Sequence, residues 1–241
     1  AEGDIIVNGV VEGATLVSGG NIVLKRGMQG MDRGMLQAEG NITAKFLENC
    51  KVRCKGMLKA DAILHSDVEC QENVDILGKK GLINGGSLST YADVHATTLG
   101  STMGASTKIK IISDKELIIR ANEIKEEVEN KEETIRKIDE VVNRVKGQLA
   151  SNQEVLPEQM NYLKQATVNK PLLVKQIREL REEREKLLVR IEKNKHSCIR
   201  VEGAVYSGID ITVKDVSKIQ HEQVSHCRFV RDGADVRIVG L

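Results

Sequence analysis

The chain has no tryptophan, two phenylalanines, three tyrosines and two prolines in 241 residues. Aromatic side chains normally supply much of the buried area of a thick core. With so few, Val, Ile, Leu, Ala and Cys must fill this interior, which suits a thin core between short strands. The aromatics that a sugar-stacking surface wants are nearly missing too. No charge sign dominates: 36 Lys and Arg face 35 Asp and Glu, so no global field draws the chain to nucleic acid or an anionic membrane, and neither is an expected partner. No segment approaches the ~20 consecutive apolar residues of a membrane span, and the start lacks the basic and apolar regions of a signal peptide. The five cysteines (Cys50, Cys54, Cys70, Cys198, Cys227) are odd in number and lack the dense spacing of a secreted disulfide scaffold. A cytoplasmic location is the expectation. The chain opens Ala1-Glu2-Gly3-Asp4 just before a strand-like unit and reads as a piece of a longer protein.

What is present is a repeat. Ile22-Val23-Leu24, Ile42-Thr43-Ala44, Leu58-Lys59-Ala60, Val74-Asp75-Ile76 and Val94-His95-Ala96 recur at steps of 20, 16, 16 and 20 residues. A second column, Ser18, Ala38, Cys54, Cys70 and Thr90, keeps the same register. Small inward-pointing residues once per turn, with Gly and Asn at corners and no helical period, mark a β-solenoid whose coils bury their apolar faces by stacking. The pattern runs from Gly3 to about Ile112 and predicts a β-helix over 1–112.

The period then changes. Ser113-Asp114-Lys115-Glu116 reads as a capping box. Leu117, Ala121, Ile124, Val128, Lys131, Ile135, Ile138, Val142, Val145 and Leu149 follow a heptad seam. Ser151 to Leu156 breaks it, Pro157 suits a first helical position, and a second seam runs from Leu163 to Ile191. Pro171 predicts a kink or restart there, with Asn169 as a cap. The expectation is a long antiparallel coiled-coil hairpin over 113–196. Alternation returns at Ile199, Val201, Ile209, Ile211 and Val213, so strands over 197–241 are expected to rejoin and complete the β-helix.

Lys80-Gly81-Leu82-Ile83-Asn84-Gly85-Gly86, Leu99-Gly100-Ser101 and Gly203-Ala204-Val205-Tyr206-Ser207-Gly208-Ile209-Asp210-Ile211 resemble motifs of the flagellar assembly protein A family. The order of solenoid, helical hairpin and returning strands resembles that family over essentially the whole chain. The resemblance implies a right-handed single-stranded β-helix and a cytoplasmic, bacterial role in flagellum assembly or polar organisation, with no known catalytic activity.

Several residues invite sharper chemistry. Cys50, Cys54, Cys70 and His65 are the ligand types of a zinc site, but Cys54 and Cys70 fall in the small-residue column and are expected to pack. Gly100 to Lys108 lacks the Gly-Lys-Ser/Thr ending of a phosphate loop and reads as a corner. His65 and His95 are the candidate bases of a solenoid enzyme such as a hexapeptide-type acyltransferase or a polysaccharide-active β-helix; the register is expected to place no carboxylate partner near either. No catalytic residue, cofactor or metal is therefore assigned. Apolar residues off the helical seams, Ile119, Val141, Leu188 and Val189 above all, are the candidate partner-binding positions, for another protein or a second copy of the chain.

Overall fold

The structure is a computed structural model that describes residues 1–151, 154 and 156–241. Part of the break expected from Ser151 to Leu156 lies outside them. The chain forms two compact units, Ala1–Asp114 with Lys193–Leu241, and Lys115–Glu192.

The first unit is a β-solenoid. Its opening rung is β1 (Ile5–Val7), β2 (Val10–Glu12) and β3 (Thr15–Ser18). The chain continues through β4 (Ile22–Ala38), β5 (Ile42–Cys54), β6 (Leu58–Lys59), β7 (Ala62–Cys70), β8 (Val74–Ile76), β9 (Leu82–Thr90), β10 (Val94–Ala96), β11 (Thr98–Leu99) and β12 (Thr107–Ile111). Every pairing among these strands is parallel and directly in column. One ladder stacks Ile5, Ile22, Ile42, Leu58, Val74, Val94 and Ile199. A second stacks Val11, Met28, Leu47, Ile63, Ile83, Leu99 and Val205, and a third Leu16, Leu36, Val52, Val68, Leu88, Ile109 and Ile211. Beyond the opening rung these aliphatics are fully buried, and together they form one continuous core. A thin interior of β-branched and Leu side chains explains why the chain manages almost without aromatics.

The unequal steps have a simple origin. Sixteen residues make the basic rung, as from Ile42 to Leu58 and from Leu58 to Val74. Longer steps carry excursions at the corners: residues 25–26 and 30–33 shift the register between β4 and β5, residues 77–81 separate β8 from β9, and residues 100–106 separate β11 from β12. Met28, between these two excursions, stays wholly buried.

A polar ladder runs beside the first aliphatic column. Asp4, Asn21, Asn41, Asn73 and Asp93 each precede a strand, and each side-chain oxygen accepts a backbone N–H of the next rung: Asn21 at 2.6 Å, Asn41 and Met57 at 2.8 Å, Asp93 at 3.4 Å and Cys198 at 2.8 Å. The last bond joins residues separated by the whole helical insertion. The roots of that insertion also meet: the Lys214 ammonium lies 3.5 Å from the buried Asp114 carboxylate and donates to the Lys195 carbonyl at 3.2 Å.

Past the insertion, β13 (Ile199–Val205) and β14 (Ile209–Val213) add a parallel rung. The remaining strands, β15 (Val216–Gln220), β16 (Val224–Asp232) and β17 (Asp235–Gly240), then fold back antiparallel onto β14, β13 and β16. The returning strands thus rejoin the sheet, but as one rung under an antiparallel cap centred on buried Phe229 and Val236. Alternation reads the same in both arrangements, because side-chain period two is common to parallel and antiparallel strands.

The second unit is a pair of helices, α1 (Lys115–Ala150) and α2 (Pro157–Asn194). At 1.5 Å per residue each runs for about 55 Å. Pro157 opens α2 as expected, but Pro171 neither ends nor restarts it. Proline costs a helix one hydrogen bond, and here the residues on both sides remain helical.

Candidate functional site

The hairpin's alignment is fixed by its polar seam residues. Arg184 donates to the Ala121 carbonyl at 3.2 Å, Lys131 to Gln176 at 3.0 Å, and Lys170 pairs with Asp139. Arg120–Glu183 at 3.1 Å and Arg181–Glu132 add flanking pairs. Polar groups at seam positions cost stability but select one register, and these contacts prescribe antiparallel pairing. Ile124, Val128 and Ile177 fill the half of the seam near the roots.

Of the four candidate contact residues, Ile119 and Val189 stand 57% and 59% exposed, while Val141 and Leu188 are half-buried. The Arg120–Glu183 and Arg184–Ala121 contacts bring Ile119 and Val189 to within about one helical turn of each other along the hairpin. Ile118 is exposed beside them, and Leu172 and Val174 are exposed farther along.

In the solenoid, the histidines occupy different settings. His65 is an exposed corner residue with φ 47°, in column with Asn49 at φ 48° and Gly85 at φ 76°. Asn, His and Gly tolerate this left-handed conformation better than most residues. A Cβ on Gly85 would fall 2.4 Å from His65 Nδ1, so the ring lies over the next corner. His95 does have a carboxylate partner, contrary to the sequence expectation: its Nδ1 lies 3.2 Å from Asp75 Oδ1, its direct neighbour on the next rung. The outward column runs Ile6, Val23, Thr43, Lys59, Asp75, His95 and Arg200, so this pair is one link in a ladder whose last four residues are of mixed charge. The signal was available, since Asp75 and His95 are the central residues of consecutive repeats.

The thiols act as donors. Cys54 Sγ meets the Gly40 carbonyl at 3.2 Å and Cys70 Sγ the Gly56 carbonyl at 3.1 Å. Ser18 and Thr90, in the same column, reach the equivalent carbonyls of Gly3 and Glu72 at 2.8 and 2.6 Å. Each acceptor sits two residues past the column neighbour on the preceding rung. The adjacent Cys54 sulfur, together with burial, pushes the Cys70 thiol well above its ordinary range. Burial pushes Cys50 and Cys227 up as well. Cys50 Sγ lies 3.6 Å from Ser66 Oγ and is separate from the exposed His65. Among the described residues no three His, Cys, Asp or Glu side chains gather as a metal set. The Gly100–Lys108 segment is a corner: Gly100 and Gly104 have φ 76° and 69°, and Thr107 Oγ1 accepts the Gly85 N–H at 2.8 Å.

No described helix is long and apolar enough to cross a membrane. No curated protein and no solved structure matches the chain. A family model described as "Flagellar Assembly Protein A beta solenoid domain" matches residues 1–236, which include the solenoid, the inserted hairpin and nearly all of the cap. The chain therefore belongs to the Flagellar Assembly Protein A beta solenoid domain family.

Proposed function

We propose that this chain is a non-catalytic scaffold that acts in flagellum assembly or polar organisation by holding another protein on its helical arm. The observation that carries the reading is the pair Ile119 and Val189, large aliphatics more than half exposed at one level of the hairpin, with Ile118 exposed beside them. A partner that covers them gains the burial they forgo in the isolated chain. The solenoid histidines support the same reading, because one serves a left-handed corner and the other a charge ladder. The working location is the cytoplasm, at the pole when the partner is there.

The test is complementation of a bacterium that lacks its own copy. Ile119→Glu with Val189→Glu should abolish flagellation and in-cell crosslinking through the arm while circular dichroism keeps its helical and β signals. His65→Ala and His95→Ala should retain flagellation. If the histidine variants lose function and the arm variant keeps it, the reading is replaced by an enzyme on a solenoid.

A further inference from the structure

The two halves of the hairpin differ more in charge than in packing. Near the roots, Ile124 is fully buried, with Val128 and Ile177 8% and 7% exposed, while Ile135, Leu180 and Leu187 are partly buried. Toward the tip, Val145 and Ala166 are 1% and 6% exposed, while Ile138, Val142 and Leu163 are half-buried. Lys170 reaches Asp139 across the helices. Between the helices lies a groove of about 550 Å³, with Ile138, Val142, Met160 and Leu163 as its apolar lining.

Residues 134–175 carry seven Lys and Arg against four Asp and Glu, whereas residues 115–133 and 176–192 together carry nine against twelve. Ion pairs engage Arg120, Lys125, Lys131 and Arg181 of the second set, and Lys137, Lys170 and Lys175 of the first. Lys146 and Lys164 border the tip groove. Among the described residues, no carboxylate lies within ion-pair distance of either, and the one acid lining the groove, Asp139, is already held by Lys170.

We propose that this groove docks an acidic amphipathic helix of a partner protein, its apolar face seated on Ile138, Val142, Met160 and Leu163 and its carboxylates met by Lys146 and Lys164. The half-buried aliphatics of the groove offer seats for a third helix's side chains, which is how helices recognise hydrophobic grooves. The unpaired lysines make the choice between acidic and basic helices, since opposed charges at a groove's edge select the partner and speed encounter. This inference rests on the scaffold reading and names the chemistry of what the arm holds. A second copy of the tip half, with its own cation excess, meets repulsion there.

The probe is a synthetic amphipathic helix of about three heptads, with Leu on one face and Glu on its flanks, and a twin with Lys replacing Glu, titrated by fluorescence anisotropy against the full chain. The Glu helix should bind, more weakly as salt rises, and the Lys helix should not. Lys146→Glu with Lys164→Glu should weaken the Glu helix about tenfold or more. Ala166→Leu, which fills the groove from within, should also weaken it, with helix content checked by circular dichroism. Equal binding of both helices, binding of neither, or indifference to all three substitutions overturns the proposal. So does concentration-dependent dimerisation in sedimentation that Ala166→Leu removes, because the occupant is then a second copy. The scaffold reading is judged separately, by flagellation: lost peptide binding in a chain whose function still needs its arm rejects the groove alone.

Discussion

Replacing Cys70 separates packing from hydrogen bonding in the column that organises the solenoid. The side chain is 2% exposed and donates to the Gly56 carbonyl at 3.1 Å and the Glu72 carbonyl at 3.2 Å. If the thiol is only a small buried hydrophobe, Cys70→Ala removes one heavy atom at about 1 kcal/mol, and Cys70→Ser is worse, because an unpaired buried hydroxyl costs about 1–3 kcal/mol. The structure reverses that order. Ser keeps a donor aimed at the same carbonyls, as Ser18 and Thr90 do on other rungs, so Cys70→Ser should cost under about 1 kcal/mol. Cys70→Ala should cost about 1–2 kcal/mol, because it loses both contact area and the donor to Gly56. Urea denaturation followed by β-sheet circular dichroism measures both on a common slope. Serine more destabilising than alanine would refute the donor role.

Gly86 sits at φ 85°, and a Cβ there would lie 2.3 Å from the Ser66 carbonyl oxygen, so Gly86→Ala should lose about 2 kcal/mol or more in the same assay. Lys214→Met strands the buried Asp114 carboxylate and should cost about 3 kcal/mol, and adding Asp114→Asn should recover most of it; an unchanged urea midpoint in the single variant contradicts the root pair. Because burial raises the Cys50 and Cys227 thiols in the folded state, their contribution is complete below the ordinary thiol pKa of about 8.5 and is lost as pH rises above it. The urea midpoint should therefore fall less above pH 9 in the Cys50→Ala/Cys227→Ala variant than in the parent, and equal slopes refute this.

The solenoid was legible because stacking writes itself into sequence: Ile22, Ile42, Leu58, Val74 and Val94 meet in space in the order and register their spacing gives. The side-chain ladders were less visible. Asn21, Asn41 and Asn73 read as generic corner residues, since nothing in one sequence says that an amide oxygen accepts from the rung beyond. The antiparallel cap was hidden by a period that both pairing modes share. The helical seams were readable, including Lys131 as a seam position, but the cross-helix partners of Lys131, Lys170 and Arg184 were not. The groove toward the tip was likewise invisible, because it depends on which residues of the two helices face each other.

The proposed role lies in the arm and not in chemistry on the solenoid. Replacing Lys115–Glu192 by a short Gly/Ser linker should leave the solenoid folded, because Asp114 and Lys195 already meet at the Lys214 ammonium. The most direct measurement is flagellation of cells carrying this armless chain, after a cooperative β-sheet melt has shown the solenoid intact. The expected result is a folded protein that leaves cells without flagella; normal flagella from the armless chain would overturn the role given to the arm.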